Sequence, residues 1–207
     1  MRIVDRFLAG SSTQQFVDGS GHKDFSLCPL LQPLYVDFNG GYFWNRALLI
    51  RPWTCTNDAP LTLAEWNDDK LWKDEYGEVC KGVLFFAEDA FGVQHGVRAD
   101  EIVQFDPETA DFSVVGDTVE KWCRAVQEDP EFHTGFPLLA AWEKRNGPIA
   151  PGYRLLPKKL FIFGVEFKPE NMACKRDIDG MRARAQLWKL TKDIPDGQKV
   201  VFKATED

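Results

Sequence analysis

The residues whose types could do chemistry sit close together. Glu88 and Asp89 are adjacent, and His95 follows six positions after Asp89. Two carboxylates and an imidazole can hold a divalent cation, or share general acid and base work. That reading makes the chain a metal-dependent hydrolase or a small-molecule binder, and it requires the backbone to bring all three groups to one point. The competing reading is structural: Asp89 accepts backbone N–H bonds in a turn, and His95 stands on a strand face. Elsewhere there is no G-x-x-x-x-G-K-[ST], no G-x-G-x-x-G after a strand, no G-x-S-x-G and no H-E-x-x-H. Cys123 falls on the apolar stripe of a predicted helix, where a thiol packs rather than attacks. No catalytic residue, metal ligand or cofactor is therefore assigned.

The stretch that must position these groups is Gly82 to Thr109. Its apolar run Val83–Ala87 reads as a buried strand, because it is short and bounded by turn signals. Val93–Val97 and Glu101–Phe105 follow as two more strands, and Asp106-Pro107-Glu108-Thr109 closes the stretch with a turn. Three strands in tandem predict an antiparallel meander at the middle of a sheet.

Upstream, Leu27, Leu30, Leu31, Leu34 and Phe38 recur at near-helical spacing. Pro29 suits a first turn, Pro33 interrupts the helix, and Asn39-Gly40-Gly41 stops it before a strand over Ala47–Arg51. Thr62 and Glu65 have capping-box spacing, and Trp66 and Trp72 are expected to anchor an acidic connector. Downstream, Phe112 and Val114 suggest an edge strand. Asp117 is the expected cap of a helix over 118–128, whose stripe is Val119, Trp122, Cys123 and Val126. A second helix runs from Phe136 to Asn146-Gly147-Pro148. Leu160–Phe163 is expected to be a strand, Asp177 to cap a helix through Trp188, and Lys199–Lys203 to form a final strand. Residues 1–26 read as a loosely held arm or a short helix, and 27–207 as one domain.

Composition excludes several classes. The chain has 207 residues, 44% hydrophobic and 28% charged, with seven Trp and sixteen Phe, which is too aromatic for disorder. No apolar run approaches the roughly 20 residues that span a bilayer, and Asp5 and Arg6 break the N-terminal apolar stretch, so a cytoplasmic protein without a membrane partner is expected. The five cysteines are widely spaced without C-x-x-C, as befits free buried thiols. Net charge is −7, and residues 65–131 alone hold eighteen acids against six bases, a local −12. Such a segment repels nucleic acid and suits a partner with a basic face.

The order Asn39-Gly40-Gly41-Tyr42-Phe43, Trp66, Leu84-Phe85-Phe86-Ala87-Glu88-Asp89-Ala90-Phe91-Gly92, Phe105-Asp106-Pro107-Glu108-Thr109 and Val119-Glu120-Lys121-Trp122 resembles the SUKH superfamily of Smi/Knr-like proteins. Arg154-Leu155-Leu156-Pro157 and the Pro195-Asp196-Gly197 turn resemble the tail of longer bacterial members. The resemblance implies an α+β fold, with a curved, mostly antiparallel mixed sheet of about six strands and helices packed on one side. It also implies a non-enzymatic immunity protein that binds and neutralises a cognate secreted toxin, such as a nuclease or deaminase, inside the cell. Relatives that regulate instead make a scaffold without a toxin partner the alternative. On this reading the contact candidates are Tyr42, Trp44, Glu88, Asp89, His95 and Glu101, on the exposed face and rim of the sheet.

Overall fold

The computed structural model describes residues 3–10, 12–17, 23–54, 60–195 and 197–198. Seven strands form one open, wholly antiparallel sheet in sequence order: β1 (Ser12–Gln15), β2 (Gly41–Phe43), β3 (Leu48–Ile50), β4 (Val83–Glu88), β5 (Gln94–Arg98), β6 (Glu101–Phe105) and β7 (Phe112–Gly116). The class is the expected α+β, and the predicted meander is β4–β6 at its centre. The strand count exceeds the expected six because the N-terminal segment is not a loose arm. Its helix α1 (Ile3–Gly10) buries Val4 and Phe7, and β1 then pairs with β2 at the sheet edge.

Helices cover both faces of the sheet rather than one. Alternation along each strand divides the apolar residues between two cores. Phe43, Leu48, Ile50, Phe86, Val97 and Ile102 face α1 and α4 (Val119–Glu128), with Trp122 of α4 5.3 Å from Phe7 and 5.1 Å from Phe86. Val83, Phe85, Val103 and Phe105 face Trp66, Trp72 and Tyr76 of the long β3–β4 connection and Met181 and Ala185 of α7 (Asp177–Thr191). Trp66 belongs to α3 (Leu63–Trp66), which Thr62 and Glu65 cap reciprocally, as their spacing predicts.

Three local expectations give way. The Leu27–Phe38 stretch is two 3-10 turns followed by the single α-turn α2 (Gln32–Tyr35), because prolines at 29 and 33 each restart the helix at its first positions. The cap of α4 is Thr118, whose hydroxyl accepts from Lys121 N, while exposed Asp117 pairs with Lys121 Nζ instead. Leu160–Phe163 is not a strand: Phe161–Phe163 is a 3-10 turn ending at left-handed Gly164. The second sheet is a hairpin of β8 (Tyr153–Pro157) and β9 (Met172–Arg176). It packs with α6 (Phe136–Asn146), which follows the short α5 (Pro130–Thr134), around a third core that includes Phe91, Leu139, Leu155 and Met172. The expected strand at Lys199–Lys203 lies outside the described residues.

Gly40 shows why Asn39-Gly40-Gly41 stops the chain where it does. Its φ is +92°, and a Cβ there would sit 2.6 Å from the Ile50 carbonyl oxygen. Asn39 then braces the bend, its Oδ1 accepting from Thr54 N at 2.9 Å and its Nδ2 donating to the Val17 and Thr54 carbonyls.

The β5–β6 turn is less well matched to its residues. Arg98 pairs with Glu101, which leaves Ala99 and Asp100 as a two-residue turn with exposed Ala99 at φ 52°. That position favours glycine, and an alanine there is strained. Ala99→Gly is expected to raise the unfolding free energy by about 0.5–1 kcal/mol, read as a higher urea midpoint at unchanged slope. A lower midpoint would contradict the assignment.

Candidate functional site

The three groups that could do chemistry are separated by the sheet. Glu88 ends β4 on the α7 face, where Gln94 Nε2 donates to its Oε2 at 3.1 Å. His95 is the next residue of β5 and points to the opposite face, against Trp122. Asp89 lies beyond the strand end, where its Oδ1 accepts from Phe91 N and Val93 N, both at 2.8 Å. The three therefore do not converge. Among the described residues, no group of three or more His, Cys, Asp or Glu side chains is arranged to hold a metal ion.

Glu88 is fully buried and lies between two guanidinium groups. Arg154 Nε reaches its Oε1 at 2.9 Å, and Arg51 Nη2 reaches its Oε2 at 2.9 Å. Burial works against the charge, but the two guanidinium groups outweigh it and hold the Glu88 carboxyl below its ordinary range. Asp177 competes for the same Arg51 Nη2 at 3.3 Å, and with the weaker share its carboxyl is pushed up by burial. The Arg51 guanidinium also lies 3.4 Å above the Trp66 ring.

His95 is held by geometry in one tautomer. The Trp122 indole can only donate, so His95 Nδ1 accepts from Trp122 Nε1 at 3.1 Å, and Nε2–H donates to the His133 carbonyl at 3.3 Å. Burial first, and the neighbouring His133 second, lower its pKa to about 3, so the ring is neutral.

Of the six proposed contact residues, Tyr42, Glu88 and His95 are buried and offer no surface to a docking protein, while Asp89, 2% exposed, borders only the groove described next. Tyr42 is buried because its strand is covered on both faces. Trp44 is partly buried, 5.5 Å from Phe7. Glu101 is exposed, at the β5–β6 turn.

The concave surface lies elsewhere, at the end of the Gly82–Thr109 stretch. A groove of about 700 Å³ is lined by Phe91 and Asp89 at its floor, the 106–109 turn, the α5–α6 corner and the 161–167 segment. Each wall has a local cause. Asp106 Oδ1 accepts from Glu108 N at 2.7 Å, and Tyr76 donates to the Pro107 carbonyl at 2.8 Å, which fixes the first. Asp129 caps α5 by accepting from Phe132 N, and α5 ends at left-handed Gly135, which fixes the second. Glu108 Oε2 accepts from Ile162 N at 3.2 Å and ties the third wall to the first. Beneath them Arg184 reaches the Phe91 carbonyl past Gly92, whose φ is +76° and whose place no Cβ could share with Arg184 Nη2.

The walls are unusually apolar for a surface. Phe132 is 64% exposed, Phe167 63% and Ile162 41%, and the Phe161 and Phe167 rings stack at 3.8 Å. Asp106, Glu108, Asp111 and Glu131 add carboxylates to the walls and rim, against the one buried cation Arg184. Sequence reasoning missed this groove because its aromatics come from four separated segments. The signal that was present is the excess of acids over residues 65–131.

The fold and groove together define an open-sheet α+β protein with an acidic, aromatic groove and helices on both faces of the sheet. No family model and no curated protein matches the chain. The crystal structure of Atu4351 from Agrobacterium tumefaciens is similar in fold, with a TM-score of 0.55 and 14% sequence identity over 86% of this chain and 85% of that one. No helix among the described residues is long and apolar enough to cross a membrane.

Two outcomes test the buried groups. Arg154→Met removes one partner of Glu88 and leaves a buried charge half compensated. It is expected to cost about 3–5 kcal/mol in chemical denaturation, and a cost below about 1 kcal/mol would show that the pair is not holding the hairpin. Asp89 and His95 are expected to give opposite pH slopes. Burial raises the Asp89 carboxyl to about 7 despite its two N–H bonds and the nearby Arg184 and Arg154. The folded state thus binds the extra proton between about pH 4 and 7, and this contribution is lost as pH rises. His95 is lowered instead, so its contribution is complete above about pH 6.5 and is lost as pH falls toward 3. Unfolding free energies against pH should therefore gain at neutral pH relative to acid in Asp89→Asn. In His95→Gln the acid-side loss should shrink.

Proposed function

We propose that the chain is a non-enzymatic protein that binds and neutralises a cognate secreted bacterial toxin, with the aromatic groove and its carboxylate rim as the contact surface. The observation that carries the reading is the coincidence, in one cavity, of exposed Phe132 and Phe167 with exposed Asp111 and Glu131. Aromatic side chains set in a concavity are what protein interfaces use as anchors, and a surrounding charge of one sign selects and steers the partner. The occupant that fits is a basic segment with apolar side chains, such as the substrate-binding face of a nuclease or deaminase. The order of motifs that resembles the SUKH superfamily supports the same function.

Co-expression with the product of the neighbouring upstream gene tests this. A stable complex and rescue of growth are expected, and failure of both would overturn the reading. Asp111→Lys with Glu131→Lys is expected to slow association about tenfold at low salt and distinctly less at high salt. A salt-independent effect would place the contact elsewhere.

A further inference from the structure

We propose that the groove receives an arginine side chain of the partner, with its guanidinium against the exposed phenylalanine wall at Phe167 and its charge toward Asp89. This rests on the toxin-binding reading and names the contact within it. Asp89 is 2% exposed yet lines the groove, and both of its hydrogen bonds fall on Oδ1. Oδ2 accepts none among the described residues, and neither Asp89 nor Glu108 makes an ion pair there.

The one cation lining the groove, Arg184, is committed elsewhere. Its Nε donates to the Gly180 carbonyl at 3.2 Å, its Nη1 to the Phe91 carbonyl and its Nη2 to Met181 Sδ at 3.6 Å. The floor thus holds two buried carboxylates, Asp89 and Glu108, and a single guanidinium that bonds neither. Burial raises both carboxyls, against the lowering effect of Arg184 on each. An incoming cation would supply what the floor lacks, and its desolvation is offset only where a carboxylate is already placed to meet it.

The walls select the kind of cation. Phe91, Phe161 and Phe167 meet one another, with ring centroids 6.1 and 6.3 Å from Phe91 and 3.8 Å between the outer two. A planar guanidinium stacks on such faces and bonds a carboxylate through two nitrogens, whereas a lysine ammonium keeps its water and does neither as well.

The test uses the full chain and two peptides, N-acetyl-Leu-Arg-Phe-amide and the same peptide with citrulline in place of arginine, titrated by calorimetry. Citrulline keeps the shape and loses the charge. The arginine peptide is expected to bind at least about tenfold more tightly. Asp89→Asn, which retains the Oδ1 acceptor, is expected to abolish that difference. Glu108→Gln is the second variant, expected to shrink the difference, and decides the matter if the first does not fold. Phe167→Ala, at an exposed position, is expected to weaken both peptides. Equal affinities, no saturable binding of the arginine peptide up to about 5 mM, or a preference that survives both carboxylate variants would overturn the proposal. The toxin experiment is read separately. Rescue by the wild-type chain with equal peptide affinities removes only the arginine contact, whereas loss of rescue with the peptide preference intact removes only neutralisation.

Discussion

The pairing of Glu88 with Arg51 and Arg154 is the constraint on which the arrangement of layers depends. Glu88 ends β4, Arg51 follows β3, Arg154 lies in β8, and Asp177, the second partner of Arg51, opens α7. One carboxylate thereby joins two neighbouring strands of the large sheet to the small hairpin and to the helix that closes the second core. Apolar packing alone accepts small slips of one layer on another, because it is non-directional. Two charge-assisted bonds to opposite oxygens of one carboxylate do not. With Arg154 Nε on Oε1 and Arg51 Nη2 on Oε2, the hairpin has one register against the sheet. That register sets Leu155 N beneath the Ala90 carbonyl at 2.9 Å, and hence where the chain re-emerges to build the 161–167 wall. The groove is a surface feature whose position is decided inside the protein.

The same interior carries ionisable groups that work against one another. His95 requires its neutral state to accept from Trp122, so acid penalises it, whereas Asp89 is buried without an ion pair, so alkali penalises it. Over roughly pH 4 to 6.5 the two slopes have opposite sign and partly cancel. The cost of Asp89 is borne by a group that also forms the turn under the groove.

Much of the fold was legible in the residue pattern, and the reasons differ by element. The meander was readable because Val83–Ala87 and its successors are short apolar runs separated by strong turn residues. The caps at Thr62 and Thr118 show the limit of local signals. Thr62 has a reciprocal partner in Glu65 and was identified correctly, while Asp117 and Thr118 are both good caps and only the backbone decides between them. The 161–163 segment was misread because Leu-Phe-Ile-Phe has strand composition. Its turn is stabilised by Glu108, more than fifty residues away in sequence, which no local pattern reports. The one-sided layering failed for a related reason. Trp66 and Trp72 looked like anchors of a connector, and they are, but the surface they anchor to is a second core completed by Tyr76 and α7.

For the site, residue type was a poorer guide than charge distribution. Glu88, Asp89 and His95 drew attention as a triad, and strand alternation alone forbids it: Glu88 pairs with Gln94 across the β4–β5 register, so the residue after Gln94 must face away. The regional excess of acids was a better signal, because a surface field sums over residues that need not be neighbours in sequence. Asp106, Glu108, Asp111 and Glu131 come from two parts of the fold and meet only at the groove. The aromatics there obey the same logic. Phe132 and Phe167 belong to short segments between larger elements and stay exposed, while polar side chains hold the neighbouring backbone, Asp129 at the start of α5 and Glu108 at the 161–163 turn. A core phenylalanine is kept by what it packs against, whereas Phe132 and Phe167 are kept in place while largely uncovered.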